Sequence, residues 1–220
     1  HQLYKILSSL EYQNRDFDKS LKYIDKAIQF NKNSAELYSI KGFYLYISNK
    51  EKEAKELFEK ALKLDANNID ALLNLGVILK DNNETLKAIN FFDKIISLDE
   101  NNYKALVNRA YIKIDIRNYQ DALKDINKVL SLNKKYFNGY LMRGTIYKEL
   151  KNFDKSLDDF EFLINSKKDC DYHIYNGAKF NKGLLDLLLG NFKDGWANYE
   201  FRSKVNKRFI PNSGIMNVRC

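Results

Sequence analysis

Several residue types that usually carry chemistry are scarce in these 220 residues. Two cysteines, Cys170 and Cys220, cannot form a framework of paired thiols, and so small a number suits a reducing, cytoplasmic compartment. With two histidines, His1 and His173, a metal site or a nucleophile–histidine dyad would have to use His173. A lone histidine in an irregular connection reads as structural or solvated. No phosphate-cradling glycine loop is present, and the longest apolar run, Leu184–Leu189, is interrupted by Asp186. That run is far shorter than the roughly 20 residues of a membrane span. The sequence therefore predicts no catalytic residue, no metal, no cofactor and no membrane span. Nor does one sign of charge dominate: 37 basic against 29 acidic residues leave +8, interspersed on helix faces and mostly lysine. This reads as a solvated surface rather than a nucleic-acid surface. At 45% hydrophobic and 30% charged, the chain is an ordinary globular protein, and one array uses all of it.

What is abundant is order at a fixed period. Ser8, Gly42, Gly76, Ala110 and Gly144 stand 34 residues apart, and twelve positions behind each come Ser20, Ala54, Ala88, Ala122 and Ser156. A period of this length marks a solenoid, whose units bury their apolar faces only against neighbours. Within one unit, Leu37, Tyr38, Phe43, Leu45 and Tyr46 fall on helical spacing, and so do Ala54, Leu57, Phe58, Ala61, Leu62 and Leu64. Polar breaks separate them at Asn14–Asp16, Ser48–Glu51, Asn82–Glu84, Arg117–Asn118 and Lys151–Asn152, and a second set recurs at 31–33, 65–67, 99–101 and 133–135. Ser34, Asn68 and Asn102 sit where an N-cap accepts from the first free amides of a helix. Each unit thus reads as helix, turn, helix, turn. The small residues let the two helices approach closely, while Tyr38, Leu72, Leu106, Phe58, Phe92 and Phe160 track the helical period as core.

This pattern resembles the tetratricopeptide repeat family: aromatic or Leu at position 4, a small residue at 8 and 20, an aromatic at 24. The resemblance implies an all-α fold, a right-handed superhelical solenoid of antiparallel helix pairs with about six units. Five fit at 1–34, 35–68, 69–102, 103–136 and 137–170. Proline is missing at position 32 throughout, which predicts looser turns, and position 27 drifts from Ala27 and Ala61 to Ile95, Val129 and Leu163. After Cys170 the frame slips by five residues, bringing Gly183 to position 8 and Gly195 to position 20 of a sixth unit at 176–204. There the segment Leu187–Arg202, with Gly190, Asn191, Phe192, Gly195, Trp196, Tyr199 and Glu200, is similar to the end of repeat arrays in bacterial proteins that carry a glycosyltransferase region downstream. Phe201 stands where that signature has Trp. Trp196 also reads as a plug over the last helix pair.

In this family the concave surface is lined by positions 2, 5, 6, 9, 12 and 13 of each first helix. The residues assigned to a peptide-binding groove are Asn74, Lys104, Val107, Asn108, Tyr111, Leu141, Lys148 and Asn181, with Asn138 and Met142 also lining it. Side-chain amides carry both donor and acceptor, so a row of them can hold an extended peptide by its backbone. The array resembles the asparagine-lined domain of the nucleocytoplasmic O-linked sugar transferase, but Ile40 and Met142 break the row. Lys104 and Asn108 match the opening of a chaperone-type carboxylate clamp, and Met142 fails its next step. The sequence predicts a noncatalytic scaffold with a protein or peptide partner, or alternatively the acceptor-recognition region of a larger bacterial glycosyltransferase. Exposed end helices are candidates for pairing between copies. Residues 205–220, with Lys207, Arg208, Arg219 and the single Pro211, read as a basic tail or linker. The start at His1 rather than Met reads as a fragment or a processed product.

Overall fold

The structure is a computed structural model that describes residues His1–Val205. The basic tail, apart from Val205, lies outside the described residues, and with it Lys207, Arg208, Pro211, Arg219 and Cys220. The described residues are all-α and fall into two compact units, His1–Glu100 and Asn101 onward. The first unit holds α1 (Gln2–Gln13), α2 (Phe17–Phe30), α3 (Ala35–Ile47), α4 (Glu51–Leu64), α5 (Ile69–Asp81) and α6 (Thr85–Leu98). The second holds α7 (Tyr103–Asp115), α8 (Tyr119–Leu132), α9 (Phe137–Glu149), α10 (Phe153–Asn165), α11 (Tyr172–Leu188) and α12 (Phe192–Tyr199), followed by a 3-10 turn at Glu200–Lys204. Within each unit every helix packs on the next in sequence, and α3 touches α5 as α9 touches α11.

Local chemistry sets each boundary. Ser34, Asn68 and Asn102 are N-caps as their spacing predicts, accepting from the amides of Leu37, Ala71 and Ala105 at 3.3, 2.9 and 3.2 Å. Each first helix ends on a residue with left-handed backbone: Arg15, Asn49, Asn83, Arg117 and Lys151 at φ near 60°, and Gly190 at 86°. The next amide reaches back five residues, as in Asp16 to the Glu11 carbonyl at 2.9 Å and Asn191 to the Asp186 carbonyl at 2.8 Å, which closes a Schellman turn. At three of these proline-free junctions an asparagine or aspartate closes the turn instead. The side chains of Asn31, Asp65 and Asn133 accept from the amide two residues on, at 3.3, 2.9 and 2.9 Å, so these turns are tied rather than loose.

The small-residue ladder does what the crossing of two helices requires. A Cβ added at Gly42, Gly76 or Gly144 would stand 2.7, 2.8 or 2.7 Å from the ring of Phe58, Phe92 or Phe160, and all three rings are fully buried. Ser8 and Ser156 are buried too, and their hydroxyls donate across the crossing to the carbonyls of Ser20 and Gly144 at 2.9 and 2.7 Å. Past the slip the same device continues. A Cβ on Gly183 would meet the Tyr199 backbone at 2.6 Å, and one on Gly195 would meet Leu187 at 2.8 Å. The extra residues lengthen α11 to 17 residues against 13 for α9. Trp196 does not plug the last pair: it is 57% exposed, with its ring set edge-on to Tyr199 at 5.6 Å. The short α12 gives way to a 3-10 turn one residue after Tyr199, so nothing in the last pair folds over the indole.

Candidate functional site

In the second unit the first helices α7, α9 and α11 carry Lys104, Val107, Asn108, Tyr111, Leu141, Lys148 and Asn181, while Asn74 lies on α5 of the first unit. The asparagines at position 6 share one local geometry. The Nδ2 groups of Asn74, Asn108 and Asn181 donate to the carbonyls of Asp70, Lys104 and Gly177, four residues back, at 2.8, 2.9 and 2.9 Å. Each amide is pinned to its own helix, which fixes the rotamer. Asn181 is 1% exposed and its Oδ1 has no hydrogen-bond partner. Asn138 on α9 gives its Nδ2 to the Tyr111 hydroxyl of α7 at 2.6 Å, and its Oδ1 is likewise buried and unpaired. Asn176, near the start of α11, is buried with both Nδ2 and Oδ1 unpaired. The unit therefore encloses three amide acceptors and one amide donor without a hydrogen-bond partner in the protein.

The apolar candidates are placed differently from a set of exposed anchors. Val107, Tyr111 and Leu141 are buried. Leu141 packs with Phe160 and Leu163 of α10 and Ala178 and Leu185 of α11. A first helix flanked by helices on both sides keeps only a narrow strip for solvent, and these positions fall inside its edge. Burial also pushes the Tyr111 hydroxyl far above its ordinary pKa, so it stays protonated and can donate as well as accept. Lys148 is held close to Glu149 at 3.7 Å with its side chain 14% exposed, and burial lowers its pKa. Lys104 is exposed.

Two buried carboxylates, Asp125 and Asp159, fasten first helices to second ones. Asp125 on α8 accepts from Arg109 Nε and Nη2 at 2.9 and 2.6 Å and from Lys113 Nζ at 2.8 Å. Asp159 on α10 accepts from Arg143 Nε and Nη2 at 2.9 and 2.7 Å. Such bidentate pairs fix geometry as well as charge. They are one period apart, a repeat visible in the sequence as Arg109 with Arg143 and Asp125 with Asp159. Asn176 left no such trace, because it stands where the frame has slipped. Cys170 is buried, its thiol donating to the Leu163 carbonyl at 3.6 Å, and burial raises its pKa and makes it a poor nucleophile. Among the described residues no group of three or more His, Cys, Asp or Glu could hold a metal ion, and no helix is long and apolar enough to cross a membrane.

Tandem antiparallel helix pairs, closed by repeated Schellman turns and presenting polar side chains on the first helix of each pair, define a helical-repeat protein. A tetratricopeptide repeat profile matches residues 45–110, and a second matches 103–136 and 137–170, together more than half of the sequence. The chain belongs to the tetratricopeptide repeat family. No curated protein matches the sequence at a significant level. Among solved structures, a tetratricopeptide repeat protein from Parabacteroides merdae is 23% identical, with 94% of this chain and 81% of that one covered and a TM-score of 0.71. PilF of Pseudomonas aeruginosa is 15% identical, with 96% and 92% covered and a TM-score of 0.77. YrrB, described as a repeat protein with an unusual peptide-binding site, is 23% identical, with 76% and 86% covered and a TM-score of 0.60. At these identities the likeness is one of fold.

Proposed function

We propose that this chain is a noncatalytic protein-interaction scaffold of the cytoplasm, and that α7, α9 and α11 hold an extended peptide segment chiefly by its backbone. The observation that carries this reading is the set of buried, unpaired amide atoms on Asn138, Asn176 and Asn181. An extended backbone offers alternating N–H and C=O groups, the complement that side-chain amides need. The atoms lie inside the unit, so a partner must displace what covers them, and the hydrogen bonds then made offset part of that cost. Lys104, exposed on α7, adds positive charge to the same set of helices and favours an acidic residue in the partner. YrrB, with its peptide-binding site on the same fold, supports the assignment by analogy.

A second reading, an acceptor-recognition region of a bacterial glycosyltransferase, rests on the resemblance of Leu187–Arg202 and on Trp196 standing exposed in that segment. The peptide reading is tested by selecting a random 12-residue phage-displayed peptide library on the immobilised protein and measuring a selected peptide against an N138A/N181A variant. The expected result is enrichment of binders and a loss of about fivefold or more in affinity, roughly 1 kcal/mol, at unchanged helicity. No enrichment, or equal affinity in the double variant, rejects the amide site.

A further inference from the structure

Two successive turns of the second unit carry lysine pairs, Lys134–Lys135 before α9 and Lys167–Lys168 before α11. Positions 32 and 33 of the earlier repeats hold Lys32–Asn33, Ala66–Asn67 and Glu100–Asn101 instead. The charge of the chain divides in the same way: residues 101–205 hold 19 basic and 13 acidic side chains, whereas residues 1–100 hold 15 and 16. The positive excess thus belongs to the second unit. Within that unit α9 and α11 touch and start level, since a Cβ on Gly177, the sixth residue of α11, would stand 3.1 Å from Leu141, the fifth of α9. The two turns therefore lie side by side, about 10 Å apart, the spacing of packed helices.

All four lysines are exposed, and none is paired with a carboxylate among the described residues. Other cations of the unit are neutralised, Lys124 by Asp121 and Arg143 by Asp159. In the second turn Asp171 is committed to capping α11, accepting from the His173 amide at 2.7 Å, which leaves Asp169 against four ammonium groups. The Lys167 ammonium stands 5.2 Å over the ring of Tyr175, a contact that orients it without cancelling its charge. The other rings on this edge are engaged with neighbours rather than set out as a stacking row: Tyr136 meets Tyr103 at 6.5 Å and Tyr172 meets His173 at 5.8 Å, both edge-on. A nucleic-acid strand binds through stacked bases as well as phosphates. Lysine also lacks the planar fork with which arginine grips a phosphate. Unpaired point charges without a stacking platform suit carboxylates.

We propose that the paired turns before α9 and α11 form a docking edge for an acidic segment of a protein partner, a run of glutamate or aspartate lying across both turns. An extended chain advances about 3.3 Å per residue, so acidic residues about three apart reach from one turn to the other. Each exposed ion pair contributes little and is screened by salt, so the contact depends on all four lysines together and weakens as ionic strength rises. The edge shares no residue with the amide set of Asn138, Asn176 and Asn181, and both turns lie between described helices.

Fluorescence anisotropy of a fluorescein-labelled octaglutamate peptide, titrated with the 220-residue chain at about 50 mM salt, reads this out. The expected result is saturable binding that falls as salt is raised, weakens about tenfold or more in K134E/K135E/K167E/K168E, and is unchanged in N138A/N181A. The half variants K134E/K135E and K167E/K168E should each lie between that variant and the wild type. K22E/K32E/K52E/K63E makes the same change of net charge on exposed lysines of the first unit and should bind as the wild type does, with circular dichroism showing each variant folded. No binding by the wild type would overturn the docking edge, and so would an equal loss in the two fourfold variants, which would mean that net charge alone is read. Tighter binding of a labelled dodecauridylate, lost in the K134E/K135E/K167E/K168E variant, would overturn it in favour of a nucleic-acid surface.

Discussion

A methyl group added to Gly76 would lie 2.8 Å from Cε1 of Phe92, closer than nonbonded carbons approach. The same ring faces the same hydrogen atom at Gly42 with Phe58 and at Gly144 with Phe160. In the two remaining 34-residue repeats, position 8 carries a Cβ, as Ser8 and Ala110, and position 24 holds Ile24 and Ile126 instead of phenylalanine. The two ladders are therefore matched in volume, one pair at a time, as close packing demands. G76A should destabilise the protein by about 1–3 kcal/mol, because the buried ring has nowhere to go. F92I alone should also cost stability by leaving a cavity. Together they rebuild the pairing of Ala110 with Ile126, so the double variant should recover about 1 kcal/mol relative to the sum of the single changes. Urea unfolding of the four proteins measures this, and strict additivity would dismiss the matched-pair account.

The turns between paired helices follow a second rule, set by backbone rather than volume. Five of the six Schellman turns place a non-glycine residue in the left-handed region, and only Gly190 meets that demand without strain. Asparagine tolerates this conformation better than arginine or lysine, so Asn49 and Asn83 cost less than Arg117 and Lys151. R117G should stabilise the protein by about 0.5–1 kcal/mol, after the larger entropy glycine loses on folding is deducted. G190A should do the reverse by a similar amount: its Cβ would meet nothing within 4 Å, and its φ of 86° is the only penalty. Thermal unfolding midpoints decide both. A rise with G190A would mean that α12 docks in a different turn from the others. The breaks themselves were legible as short polar clusters, but the sign of φ was not. Arginine and lysine at that position announce solvent exposure and nothing about backbone hand.

At the scale of the molecule, the period made the architecture legible because every repeat must solve the same packing problem with the same positions. The site was less legible, for the opposite reason. Asn138 was legible as a groove position, but Asn176 stands where no neighbouring repeat has asparagine, and nothing in the spacing of Val107 and Leu141 announces that they are buried. Periodicity reports what repeats share, whereas binding depends on where they differ. The same quasi-one-dimensional construction shapes how stability is distributed, since each helix pair is held by its own crossing and by the pairs beside it. G144V drives a branched side chain toward Phe160, whose ring would already stand 2.7 Å from a single Cβ. Native-state hydrogen exchange should then show the amides of α9 and α10 opening at lower free energy, with a smaller loss in the adjoining α8 and α11. The amides of α1 to α4, in the first unit, should keep the protection they have in the wild type. A uniform loss of protection across all helices would instead mean that the chain unfolds as one cooperative body, and that the crossing at Gly144 supports every helix rather than its neighbours.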